Sequence, residues 1–66
     1  MRRNKIRILR DQKGITLDEL SRLTGISSGY LCHLEKGSRS NPSLEVMEKI
    51  ANALNKSVAE VFFIQM

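Results

Sequence analysis

The chain has 66 residues, 41% hydrophobic and 27% charged, with a net charge of +4 and an isoelectric point near 9.7. That length gives one domain with a small core, and one cysteine with one histidine excludes an intrachain disulfide and a structural zinc site. No run approaches the roughly 20 apolar residues that span a bilayer, and the basic start MRRNKIRILR lacks the apolar segment and cleavage site of a secretion signal.

The lone thiol, Cys32, suits a reducing cytoplasm and reads as a small half-buried or surface residue. Basic residues gather early, at Arg2, Arg3, Lys5, Arg7, Arg10 and Lys13. Such a balance favours a polyanion as partner, or simply a solvated surface, so the pattern has to decide. Gly14, Gly25, Gly37 and Pro42 divide the chain, and between them apolar residues recur at three and four, the helical period.

The spacing predicts a first helix over 3–12, with Ile6 and Leu9 on its buried face and Gly14 just past its end. A second helix opens at Thr16, where Thr16 and Glu19 form a capping box, and it buries Leu20 and Leu23 before Gly25. A third starts at Ser27, a good N-cap, and runs to Lys36 with Gly37 as its stop. Ser43 caps a fourth, whose stripe is Leu44, Met47, Ile50, Ala51 and Leu54, and which Asn55 ends. Ser57 caps a short fifth helix carrying Val58, Val61 and Phe62. Five helices with short connections make an all-α bundle over 1–66 as a single domain.

The third helix has an unusual outer face. Leu31 and Leu34 face inward. At about 100° per residue, Ser28, Gly29, Cys32, His33 and Lys36 fall on the other side. That face is flat where Ser28 and Gly29 lie and cationic at its end. Gly29 costs about 1 kcal/mol of helix stability against alanine, a cost that makes sense if something approaches the backbone closely. Helix, glycine turn, helix is the helix-turn-helix geometry, in which the second helix enters the major groove. The groove is about 12 Å wide and admits a helix. The helix starts at Thr16 and Ser27 present N–H groups suited to phosphate.

Catalysis has little support. His33 has only Cys32 beside it, and adjacent residues on a helix point in different directions. No glycine-rich phosphate loop follows a strand. The sequence implies no enzyme, no cofactor and no metal site.

Residues 6–62 resemble the Cro/C1-type (XRE) helix-turn-helix regulators of bacteria and phages. The matching positions are Arg10, Gly14, Thr16-x-x-Glu19-Leu20, Gly25-Ile26-Ser27, Tyr30-Leu31, Leu34-Glu35-x-Gly37 and Asn41-Pro42-Ser43-Leu44. NPSL, with Arg39 before it, is most similar to the branch containing Gram-positive biofilm and sporulation repressors. The resemblance implies a compact five-helix lambda-repressor-like DNA-binding domain, with the motif at about 17–36. It implies base reading by Ser28, Gly29 and His33, and phosphate grip by Ser27, Tyr30 and the loop holding Ser38, Arg39 and Asn41. Thr16, Leu17 and Lys36 complete the expected DNA-facing set. Arg10 and Glu35 match a frequent pair tying the first helix to the third.

Three positions depart from the pattern. Leu17 stands where many members place a phosphate-binding Gln, Ser21 where many have Ala, and Gly29 where many have a long polar side chain. Direct base readout is therefore thin and leans on His33, Arg39 and DNA shape. Bland alternatives stand beside these roles. His33 and Arg39 could be solvated, Tyr30 could pack at the junction of the second and third helices, and Arg2, Arg3 and Lys5 could be solvent-facing.

The tail is more apolar than a small monomer needs. Phe62, Phe63, Ile64 and Met66 read as a homodimer contact, the alternative being that they fold back on the core. A twofold dimer sets two recognition helices about 34 Å apart and calls for a palindromic operator on double-stranded DNA. The leading expectation is a cytoplasmic, sequence-specific DNA-binding transcriptional repressor. Without a sensor domain, it would be controlled by its concentration, a protein co-regulator or proteolysis. The alternative is a protein-interaction module, an antitoxin or anti-repressor partner, with DNA binding secondary.

Overall fold

A computed structural model describes residues 4–37 and 42–62. Among them are five helices and no strand: α1 (Ile6–Lys13), α2 (Leu17–Thr24), α3 (Ser28–Lys36), α4 (Leu44–Ala53) and α5 (Val58–Phe62). The architecture is all-α and compact, with a radius of gyration of 10.4 Å.

Local chemistry sets most boundaries. The Thr16 hydroxyl accepts from the Glu19 N–H at 3.1 Å, and the Glu19 carboxylate accepts from the Thr16 N–H at 2.8 Å. Ser27 and Ser43 accept from the Tyr30 and Val46 N–H groups, each at 3.2 Å. Ser57 and Glu60 repeat the reciprocal box at α5, at 3.1 and 2.8 Å. Each bond satisfies a donor that the first helical turn leaves without an acceptor. At the far end of α2, Gly25 takes φ of 76°, a left-handed conformation that a side chain would strain.

The core is built by Ile6 and Leu9 from α1, Leu20 from α2, Leu31 and Leu34 from α3, Ile50, Ala51 and Leu54 around α4, and Val61 from α5. α2 packs on both α3 and α4, and α4 packs on α5. The segment before α1 closes the bundle, its Lys5 N–H donating to the Val61 carbonyl at 2.9 Å.

Three features differ from the sequence expectation. Leu23 does not join the core: it is 62% exposed, and Thr24, at 8%, takes the inward place. Thr24 lies four residues after Leu20, on the same face, and its hydroxyl does work no leucine could. It donates to the Leu20 carbonyl at 2.9 Å and accepts from the Ile26 N–H at 3.2 Å. Leu44 likewise stands 60% exposed: in the first turn of α4 it is Val46 that packs against the core, and full burial falls on Ile50, Ala51 and Leu54. Asn4 and Lys5 lie before α1 rather than within it, where the Asn4 side-chain oxygen Oδ1 accepts from the Ile6 N–H at 3.1 Å, at the first helical residue.

Candidate nucleic-acid interface

The turn joining α2 to α3 is fixed by side chains as well as by Gly25. The Ser21 hydroxyl donates to the Ile26 carbonyl, and the Gly25 N–H donates to the Ser21 carbonyl at 2.8 Å. With the two Thr24 bonds these hold Ile26 and Ser27 at the start of α3. Ile26 then packs its side chain on the core edge. Ser21 fits here because it is both small and a donor.

α3 is split lengthwise. Leu31 and Leu34 are fully inside, while Gly29, His33 and Lys36 are exposed and Ser28 and Cys32 are half-buried. A Cβ built on Gly29 would meet no atom within 4 Å. Nothing inside the fold therefore requires glycine at that position, although glycine weakens a helix. Ser27 is exposed beside it, at the helix start.

The two helix starts are electrostatically unlike. The first turn of α2 carries Asp18 and Glu19, whereas α3 has no acidic residue in its first turn and His33 and Lys36 in its last. Carboxylates compete with an incoming anion for the positive end of the helix dipole. Of the two, the α3 end is thus the better receptor for a phosphate. Thr16 is exposed, with its hydroxyl engaged as the α2 cap.

Leu17 and Tyr30 are half-buried and packed against the core. An apolar Leu17 side chain offers a phosphate no hydrogen bond, so only the backbone N–H of that first turn could serve there. Arg10 and Glu35 meet with Nε to Oε2 at 2.9 Å, their side chains 12% and 11% exposed. Arg10 Nη1 also donates to the Ile15 carbonyl at 3.0 Å. One guanidinium thereby joins α1, the α1–α2 loop and the last turn of α3. Phe62 is half-buried against the core. Ser38, Arg39, Asn41, Phe63, Ile64 and Met66 lie outside the described residues, as do Arg2 and Arg3.

Asn4 and Thr24 have structural roles that the sequence pattern does not assign. Asn4 carries a usable signal, an N-cap residue type just before the first periodic apolar position. Thr24 carries none, because its burial depends on where α4 sits. Among the described residues no three His, Cys, Asp or Glu side chains cluster as a metal site, and no helix is long and apolar enough to cross a membrane.

Comparison with known proteins agrees with this geometry. A helix-turn-helix family model matches residues 6–61. The HTH-type transcriptional regulator SlrR of Bacillus subtilis (strain 168) is 33% identical over 57 residues, covering 86% of this chain and 38% of that protein. The HTH-type transcriptional regulator SinR of the same organism is 35% identical over 54 residues, covering 82% of this chain and 49% of SinR. An uncharacterised HTH-type transcriptional regulator of Archaeoglobus fulgidus is 37% identical over 60 residues, 91% of this chain and 84% of its own. The chain spans half or less of the Bacillus relatives. Fold, turn and sequence match together, and the chain belongs to the Cro/C1-type (XRE) helix-turn-helix family, a non-enzymatic family of DNA-binding transcriptional regulators.

Proposed function

We propose that this chain is a sequence-specific, double-stranded DNA-binding repressor that lays α3 in the major groove. The observation that carries this reading is the outer face of α3. It begins with a glycine that no internal contact demands and ends in two exposed groups, His33 and Lys36, suited to an anionic partner. Ser28, Gly29 and His33 face base edges. Ser27, Tyr30, Thr16, Lys36 and the backbone at Leu17 take phosphates, together with Ser38, Arg39 and Asn41, which follow α3 in the sequence. Phosphate contacts set register, and base contacts set sequence. With one short, one absent and one aromatic side chain to read bases, selectivity depends strongly on His33 and on DNA shape.

The working unit is a cytoplasmic homodimer joined through the 62–66 tail and bound to a palindromic operator. One small module buries too little DNA surface to be selective by itself. Exposed Ile8, Leu23 and Leu44 leave apolar surface for a protein co-regulator, which keeps the interaction-module reading as a second possibility. Selection of bound duplexes from a random pool tests the proposal. It should return a twofold-symmetric site with half-sites about one helical turn apart. His33→Ala should then lower the ratio of selected-site to scrambled-site affinity by about tenfold, a loss of one good base contact. A pool with no enriched motif, or an unchanged ratio, would refute the assignment of α3 as reader.

A further inference from the structure

Asn4 uses both ends of one side-chain amide. Its oxygen accepts from the Ile6 N–H at 3.1 Å, at the first residue of α1. Its nitrogen donates to the Leu34 carbonyl at 2.9 Å, thirty positions along the chain, in the last turn of α3. That carbonyl belongs to a helix end, where the final four lack intrahelical donors; the Gly37 N–H also reaches it, at 3.1 Å. Next in sequence, the Lys5 N–H donates to the Val61 carbonyl of α5 at 2.9 Å. Two consecutive residues therefore tie the front of α1 to the ends of α3 and α5.

We propose that Asn4 is a positioning residue for DNA recognition, holding the last turn of α3 at the angle that presents His33 and Lys36. The inference rests on the reading of α3 as the groove-facing helix. Leu34 follows His33 and precedes Lys36 by two, so the tether grips the backbone between the two exposed groups. The neighbouring tether, Arg10 to Glu35, ends on a side chain whose bonds can turn while the helix shifts. The Asn4 bond ends on the helix backbone itself, so at the α3 end no side-chain torsion can absorb a shift of the helix. Base hydrogen bonds tolerate displacements of only about 0.5 Å, so a loosened helix end spoils readout. Attraction to phosphate falls off more gently with distance and survives the same displacement. Loss of the tether should therefore reduce selectivity more than non-specific affinity.

Asn4→Asp and Asn4→Ser each keep an oxygen to accept from the Ile6 N–H and lose the amide donor to Leu34. Serine is neutral, which separates the missing bond from added charge near DNA. Both variants of the full chain are compared with the unsubstituted protein. One measurement is amide exchange at residues 33–37 without DNA. The other is the affinity ratio between a selected duplex and a random duplex at fixed salt. Both variants should exchange about fivefold faster at the end of α3, the effect of one hydrogen bond, with α1 protection retained. Both should also lose about fivefold or more in the affinity ratio. Faster exchange with an unchanged ratio would overturn the proposal and leave Asn4 as a stabilising contact only. Loss of selectivity in the Asp variant alone would overturn it too, in favour of charge repulsion. If the unsubstituted chain does not prefer the selected duplex, the reading of α3 falls and this inference with it.

Discussion

Arg10 shows how one side chain can decide whether three segments stay together. Its guanidinium bonds Glu35 at 2.9 Å and the Ile15 carbonyl at 3.0 Å, with both charged side chains close to 90% covered. Removing one member of such a pair strands the other charge in a poorly solvated place, which costs about 3–5 kcal/mol. Arg10→Ala should therefore lower unfolding free energy by about 3 kcal/mol in urea titrations, a large share of the total for a domain this small. Replacing both partners, as Arg10→Met with Glu35→Leu, should recover most of the loss, because the cost lies in the orphaned charge. The pairing was legible in the sequence through the family resemblance. The long-range partner of Asn4 was not legible, because a short polar residue before a helix signals only its local role until its 2.9 Å bond to Leu34 is seen.

At the level of the helix, α2 supplies the sharpest contrast between two leucines. Leu20 is fully buried and Leu23 is 62% exposed. Leu20→Ala should cost about 2–5 kcal/mol by leaving a cavity. Leu23→Ser should change stability by less than about 0.5 kcal/mol, and calorimetry of the two variants checks the assignment. The helical period alone could not choose between Leu23 and Thr24 as Leu20's companion, since three and four residues lie almost equally near one face. α5 offers a second test. The Ser57 backbone N–H, and then the Ser57 hydroxyl, hold the Glu60 carboxyl below its ordinary 4.5. A carboxyl lowered in the folded state stabilises fully above pH 4.5 and loses that contribution as pH falls through its folded value. Cα chemical shifts of 58–62 should thus move toward coil values as the pH is taken down through the lowered folded-state value, below 4.5. Glu60→Gln should remove that pH dependence.

For the whole molecule, the bundle leaves one face of α3 open and commits the rest of that helix to the core. DNA binding through this face should weaken steeply with salt, because each phosphate contact displaces condensed counterions. The proposed dimer is tested by Phe63→Ser, which should give monomers in sedimentation equilibrium and a shallower salt dependence. A dimer that persists would move the interface away from the tail. Exposed Leu23 and Leu44 lie on α2 and α4, and Leu44→Ser would then be the next substitution to examine.

Local chemistry alone determined the number of helices, the N-caps of α2 to α5 and the turn between α2 and α3. Thr16 with Glu19, Ser27, Ser43 and Gly25 act within four residues of themselves, so no knowledge of the fold was needed to read them. The tertiary structure decided what depends on distant partners: that Thr24 displaces Leu23 from the core, that Leu44 stays outside, and that Asn4 reaches the end of α3. Each of these follows from how a neighbouring helix lies against the residue. That placement is set by the packing of the whole core rather than by any local run of sequence.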